Sequence, residues 1–395
     1  METAEQTSQS EIFSYGIVEI IDQESLRRRL ATGKKLVVKL GVDPTSPDLH
    51  LGHAVVLRKL RQFQDAGCEA VLVIGDFTTM IGDPSGRNST RPVLSEDEIK
   101  QNMQTYVDQA YLILDKEKTR VVYNSSWLGK MKFADLIKVA MQLNMSTLLE
   151  REDFAARLKA NEPFSVHEIL YPISQAIDSV ELKADVELGG WDQRLNLLLG
   201  RELQKKMGLP PQEVVIMNPL VGTDGERKMS KSYGNFIGLT ESADQMYGKL
   251  MSIPDKLTDS YAELAGLMTT EQIAALPTHP RDRKAAVARA IVALYHGDEA
   301  ATQAGERFTK TFSDKSGAGE LSDEIAVEGD TITLLEAVKL TAGVSGSEAQ
   351  RLISQNAVRL NGEVAVDPGF VIQVGETGHQ LQVGKHRFYE LIKEA

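Results

Sequence analysis

The stretch Gly41-Val42-Asp43-Pro44-Thr45-Ser46-Pro47-Asp48-Leu49-His50-Leu51-Gly52-His53 decides the reading of this chain. Before it, Lys35-Leu36-Val37-Val38-Lys39-Leu40 is apolar and β-branched, as a buried strand is. After it, Ala54 to Phe63 repeats apolar residues at helical spacing, and the prolines between mark a turn. The unit is strand, turn and helix, with His50-x-Gly52-His53 in the first helical turn. A helix N-terminus offers free N–H groups and the positive end of the dipole, which suits a phosphate. Gly52 leaves the backbone open to a flat ligand. Imidazoles at such an end stay neutral and still donate hydrogen bonds. By itself the pattern reads equally well as a strand–helix unit with two incidental histidines.

Composition narrows the class. A chain of 395 residues fits two or three domains. Its 42% hydrophobic and 25% charged residues are ordinary globular usage and allow a sizeable core. A net charge of -12 argues against indiscriminate nucleic-acid coating but leaves room for a specific RNA site. Cys68 is the only cysteine, which excludes an intramolecular disulfide and a cysteine metal site. The expectation is a reducing, cytoplasmic setting. The polar N-terminus reads as neither signal nor transit peptide, and no apolar run is long enough to span a bilayer.

Along the chain, Ile17 to Leu30 is expected to form a helix stopped by Gly33. Ala70–Ile74 is a second buried strand, followed by a glycine-rich loop from Gly75 to Arg87. Strand, helix, strand at this spacing gives parallel pairing, and ligands bind where such strands end. Asp83, Ser85 and Arg87 then share a crevice with His50 and His53. Further helices are expected over Glu96–Leu114, Phe133–Leu158, His167–Leu182 and Leu195–Met207, with strands at Val121–Tyr123, Asp185–Leu188 and Val214–Met217. The Met- and Leu-rich stripe of 133–158 is either core or a dimer surface. Tyr171, Gln175 and Asp178 share one helical face, and a carboxylate buried there demands a polar partner. Gly225-Glu226-Arg227-Lys228-Met229-Ser230-Lys231-Ser232-Tyr233-Gly234-Asn235 places two lysines and two hydroxyls between glycines. It is a loop suited to closing over phosphates, or an exposed basic turn. Residues 240–312 read as helical and 313–320 as a linker. Beyond Thr331, two short helices precede short β-like segments.

His50-x-Gly52-His53 followed by Lys228-Met229-Ser230-Lys231-Ser232 resembles the paired signatures of class I aminoacyl-tRNA synthetases. Gly41-x-Asp43-Pro44-Thr45, Ile81-Gly82-Asp83-Pro84-Ser85-Gly86, Tyr171-x3-Gln175-x2-Asp178 and Gly189-Gly190-x-Asp192-Gln193 are similar to motifs of the bacterial-type tyrosyl-tRNA synthetases in particular. Ala349-Gln350-Arg351-Leu352-Ile353 through Val358-Arg359-Leu360-Asn361-Gly362 looks like an S4 RNA-binding domain. The resemblance covers essentially the whole chain. It implies an α/β fold in three parts. A Rossmann-like parallel-sheet catalytic core spans 1–239, with an inserted dimer-forming helical segment around 125–165. A helical anticodon-binding domain spans 240–325, and a small α+β S4 domain spans 331–395. The implied protein is a homodimer away from membranes. It uses tyrosine, ATP with Mg2+, and tRNA(Tyr), with neither a tightly bound cofactor nor a protein metal site.

The resemblance also implies roles. Asp178 reads the tyrosine hydroxyl. Tyr171, Gln175 and Asp83 meet the tyrosine ammonium, and Asp43 and Gln193 line the amino-acid and adenylate site. Asp192 and Gly190 lie at the adenylate ribose. His50, His53, Lys228 and Lys231 hold ATP and stabilise the leaving pyrophosphate, with Gly41, Gly52, Met229, Ser230 and Ser232 completing that site. Lys39 stands where many members have a tyrosine, and is expected to pair with Asp178 or help to read the phenol. Trp191 replaces a small residue, which bears on the geometry of Asp192. Val56 stands where other members can place a polar residue. No nucleophile is required of the protein, because the tyrosine carboxylate is already ionised; positioning and charge stabilisation suffice. Candidate tRNA-phosphate contacts are Lys205, Lys206, Arg281, Arg283, Lys284, Arg351, Arg359, Lys385 and Arg387, each equally readable as a solvated charge. Competing readings are a tryptophanyl enzyme, a non-catalytic RNA-binding paralogue and a small-molecule nucleotidyltransferase. Asp178, the S4 stretch and the intact lysines and histidines argue against them.

Overall fold

The computed structural model describes residues 12–13, 16–45, 47–85, 96–149, 152–163, 165–313, 322–327, 329–374, 378–384 and 387–393. Ser46, Arg87, Lys385 and the expected linker beyond Ser313 lie outside them. The chain divides into two compact units, Met1–Glu241 with Ile253–Arg283, and Ser242–Ser252 with Lys284–Ala395.

The first unit is built on a six-stranded sheet of β1 (Ile17–Ile21), β2 (Val37–Val42), β3 (Glu69–Ile74), β4 (Thr119–Tyr123), β5 (Val186–Gly190) and β6 (Glu213–Met217). The order is β1-β6-β5-β2-β3-β4. Five strands are parallel, and β1 runs antiparallel on the β6 edge. Strands covered on both faces read as continuous apolar runs, as β3 and β6 do. Helices α1 (Gln23–Ala31), α2 (Leu51–Asp65), α3 (Val166–Leu182) and α4 (Arg194–Lys206) belong to this unit. Helix α2 buries Leu51, Ala54, Leu57, Leu60 and Phe63 at helical spacing against the strands.

The expectation of one helix from Ile17 to Leu30 is corrected. Ile17-Val18-Glu19-Ile20-Ile21 is rich in β-branched residues and pairs with β6. Asp22, at φ 57°, then caps α1 by accepting the Ser25 N–H. The strand and helix run together as one apolar pattern, and only the cap separates them. Likewise, 133–158 is three helices rather than one: Phe133–Ala140, Met145–Leu149 and Glu152–Lys159.

From β2 the chain winds through β3 to β4 on one side, while β5 and β6 lie on the other. The crevice therefore opens where β2 and β5 end, as expected at a switch point of a parallel sheet. In the second unit, helix Ala243–Ser252 packs on helix Asp298–Ser313, tied by Arg307 to Asp244 through three hydrogen bonds at 3.0, 3.0 and 2.8 Å. Its C-terminal part closes a separate core around Leu334, Val338, Ile353, Leu381 and Leu391. There Arg387–Lys393 runs parallel to Ser322–Val327 at the edge of a five-stranded sheet. Among the described residues, no helix is long and apolar enough to cross a membrane.

Candidate active site

A cleft of about 310 Å³ opens at the carboxyl ends of β2, β3 and β5. His50 is the N-cap of α2. Its Nδ1 accepts the Gly52 N–H at 3.2 Å, and His53 Nδ1 accepts the His50 N–H at 3.3 Å. With both Nδ1 atoms accepting, each neutral ring carries its proton on Nε2, a donor for a ligand. Burial pushes both imidazoles down, His50 to about 2 and His53 to about 4, and the Lys228 and Lys231 charges push the same way. Gly52 also has an intramolecular reason to be glycine, since a Cβ there would sit 3.0 Å from the His50 ring.

The second signature is a hairpin. Gly222 and Met229 donate backbone hydrogen bonds to Arg227 and Leu220. Asn235, 2% exposed, accepts from the Ser230 N–H and donates to Asp224 and to the Lys228 carbonyl. The chain leaving this hairpin pairs with the first signature: Leu51 N–H donates to Ile237 O at 3.0 Å, and Leu239 N–H to Leu49 O at 2.9 Å. The two motifs are thereby one hydrogen-bonded body. Lys228 Nζ lies 2.7 Å from Asp192, and Lys231 Nζ 3.0 Å from Asp48.

The other end of the cleft is a buried carboxylate. Asp178, 4% exposed, accepts from Trp127 Nε1 at 2.8 Å and from Asn124 Nδ2 at 3.3 Å. Burial raises its pKa to about 6, against the lowering effects of Lys39, Trp127 and Asn124. Tyr171 Oη donates to Asp43 at 2.9 Å, and Thr78 Oγ1 to the other Asp43 oxygen at 2.8 Å. Gly75 permits this, because a Cβ there would lie 2.1 Å from Asp43 Oδ1. Gln193 donates to Asp83 at 2.8 Å and accepts from the buried Asn196 at 2.9 Å.

Of the residues expected at the site, Gly41, Asp43, His50, Gly52, His53, Asp83, Tyr171, Gln175, Asp178, Gly190, Asp192, Gln193, Lys228, Met229 and Ser230 line this one cleft. Val56 lines it too. Lys231 and Ser232 are not in that lining: Lys231 is half-buried on Asp48 and Ser232 is exposed. Lys39 is not part of that lining, although its charge lowers the Asp178 pKa. Its ammonium is fully buried beneath the cleft and pairs with Glu187 at 3.0 Å, with no hydrogen bond to Asp178. Glu187 lies opposite it in the β2–β5 register, which makes it the nearer partner. Trp191 turns outward at 45% exposure, with the Arg194 guanidinium 5.8 Å from its ring centre, and leaves Asp192 on the cleft wall. Arg283, a candidate for tRNA phosphate, instead binds Asp259 and the Ile273 carbonyl. Sequence reasoning missed Asn124, Trp127, Thr78, Asn196, Asn235 and Glu187. The available signal was the Asn and Trp just after β4, at the carboxyl end of a parallel strand.

Comparison with known proteins identifies the family. Residues 31–313 match the family described as tRNA synthetases class I (W and Y), and residues 334–377 match the S4 domain. The tyrosine–tRNA ligase of Moorella thermoacetica is 48% identical over 396 residues, covering 97% of this chain and 95% of its own. That of Thermotoga maritima is 47% identical over 392 residues, covering 97% of each chain. Among solved structures, the tyrosyl-tRNA synthetase of Archaeoglobus fulgidus complexed with L-tyrosine superposes with a TM-score of 0.62 at 23% identity. That match covers 76% of this chain and 99% of the other. The C-terminally truncated mitochondrial enzyme of Aspergillus nidulans superposes with a TM-score of 0.63 at 20% identity, covering 79% and 95%. At such identities the likeness is one of fold. The length and identity of the sequence matches decide the family: the chain belongs to the tyrosine–tRNA ligases, class I tRNA synthetases, and carries an S4 domain.

Proposed function

We propose that this cleft joins tyrosine to ATP and then passes the tyrosyl group to the 3'-terminal ribose of tRNA(Tyr). One observation carries the assignment of its two ends. A buried carboxylate, Asp178, and a cap of two neutral histidines beside Lys228 line the same cleft. Asp178 accepts the phenol hydroxyl. Gln175, Tyr171 and Asp83 surround the ammonium, which leaves the tyrosine carboxylate facing the phosphate end. That carboxylate attacks the α-phosphorus of ATP and pyrophosphate leaves. His50 and His53 donate from Nε2, and Lys228 and Lys231 add charge, where negative charge builds on the phosphates. Asp192 and Gly190 hold the ribose. Mg2+ enters as part of the ATP substrate.

Tyrosine is favoured over phenylalanine because a missing hydroxyl leaves the buried Asp178 carboxylate one donor short. The S4 part and the helical segment before it contact the tRNA, and the protein works in the cytoplasm. An apolar face supports a homodimer, since Phe133, Ile137 and Met141 are 77%, 46% and 78% exposed. The test is ATP–pyrophosphate exchange with single amino acids, followed by charging of total tRNA with labelled tyrosine. Exchange with tryptophan but not tyrosine overturns the assignment.

A further inference from the structure

Beneath the cleft lies a polar cluster with no solvent access. Lys39 and Glu187 are 0% and 1% exposed, and Ser179 is 0%. The three ammonium protons of Lys39 have three acceptors: Glu187 Oε1 at 3.0 Å, Ser179 Oγ at 2.7 Å and the Gln175 carbonyl at 3.2 Å. Glu187 Oε1 also accepts from Gln175 Nε2 at 3.1 Å, while its Oε2 accepts from Ser179 and Gln212. Gln175 lines the cleft above, and its Oε1 is buried without a hydrogen-bond partner.

A side-chain amide can turn over and exchange its donor and acceptor ends. An ionised carboxylate only accepts, so it takes the amide nitrogen and rejects the oxygen. We propose that Glu187, paired with Lys39, is a positioning residue that fixes Gln175 with its amide oxygen toward the cleft. There the oxygen meets the tyrosine ammonium. This rests on the assignment of Gln175 to that ammonium. It explains a buried ion pair, an arrangement that by itself adds little stability. It also gives Lys39 a task at the amino end of the substrate, through Glu187 and Gln175. The pair is set by the sheet, where Lys39 and Glu187 face each other in register.

The test compares L-tyrosine with 3-(4-hydroxyphenyl)propanoate, which has the phenol and carboxylate but no ammonium. Removing both charges together in Lys39→Met/Glu187→Met strands neither partner of the pair, and their opposed effects on Asp178 are lost together. The expected result is a loss of tyrosine affinity of about tenfold, the worth of one hydrogen bond to a charged group. Binding of the propanoate and the KM for ATP stay within about twofold. Glu187→Gln is the second variant; it allows both amide orientations and should show the same selectivity with a smaller loss. Equal losses for the two ligands, or none for tyrosine, overturn the positioning role. Gln175→Ala separates the two levels. If it leaves tyrosine binding intact, the ammonium assignment fails and the proposal with it. If it shows the selective loss while the Lys39/Glu187 variants do not, only the positioning fails.

Discussion

Replacing Asp178 by Asn should cost activity and almost no stability. The carboxyl titrates at about 6 instead of 3.8, because burial disfavours its charge. Keeping it ionised at pH 7 therefore costs the fold about 3 kcal/mol. The isosteric Asn removes that cost. It adds another, because Trp127 and Asn124 both donate to the carboxylate and an amide has a single acceptor. One donor then faces an NH2 group, at about 1–3 kcal/mol. The two effects nearly cancel, so the unfolding free energy at pH 7 shifts by no more than about 2 kcal/mol. The sign of the pH dependence is fixed as well. A carboxyl with a raised folded pKa stabilises fully below 3.8 and loses that contribution as pH rises through about 6. The variant lacks this loss, so its stability relative to the native protein improves between pH 5 and 7. Activity moves the other way. The phenol loses a charged acceptor worth about 1.5–3 kcal/mol, or roughly ten- to 150-fold in kcat/KM for tyrosine. Phenylalanine, which never used that acceptor, is spared, so discrimination falls by the same factor. Urea unfolding at the two pH values and ATP–pyrophosphate exchange with both amino acids measure all of this. A tyrosine loss under threefold, an equal loss for phenylalanine, or a collapsed unfolding midpoint would refute the reasoning.

Other outcomes follow from the same geometry. In the native protein, the KM for tyrosine should rise about tenfold per pH unit below 6, as Asp178 takes up a proton. The histidines should add no pH dependence to the KM for ATP from pH 5 to 8 beyond the titration of ATP itself, because His50 and His53 titrate near 2 and 4; pH-resolved exchange kinetics read both. Lys231→Ala should lower the exchange kcat by about 10²–10³, the scale of one lost charge-stabilising group, with tyrosine affinity unchanged by equilibrium binding. Arg157→Ala strands Glu168, its partner at 2.7 Å, which is 3% exposed. That should cost about 3–5 kcal/mol in chemical denaturation, with exchange kinetics of the folded fraction near native.

Residues whose function follows from local spacing were legible in the sequence. His50 and His53 cap each other within one helical turn, and Tyr171, Gln175 and Asp178 lie on one face of α3, so each set is written in consecutive residues. The strands β3 and β6 were legible because burial on both faces leaves nearly continuous apolar runs, whereas β2 and β5 each carry one buried charge, Lys39 and Glu187. The rest depends on contacts between distant segments. Asn124 and Trp127 reach Asp178 from the end of β4, more than 50 residues away in sequence. Asn235 shows its purpose only once the 222–235 loop has folded back on itself. Lys39 was noticed, but its direction was not. A strand residue points to one of two faces, and its partner is set by a register that the sequence of β2 alone does not carry.

Among the described residues, the proposed phosphate end of the cleft carries formal positive charge only on its lysines, since both histidines are neutral donors. Each ammonium rests on a carboxylate, Lys228 on Asp192 and Lys231 on Asp48. Lys228 and Asp192 are 42% and 32% exposed, so solvent screens the pair and it is worth at most about 1 kcal/mol. A polyphosphate, with more charge and several acceptors, outcompetes a single screened carboxylate for the ammonium. Under the proposed roles this exchange also matters to Asp192. When Lys228 turns to the phosphates, the Asp192 oxygen it held becomes an acceptor for the ribose hydroxyls. Phosphate and ribose recognition are then coupled through one carboxylate. Ligands carrying one group each then gain, taken together, less than the complete nucleotide gains.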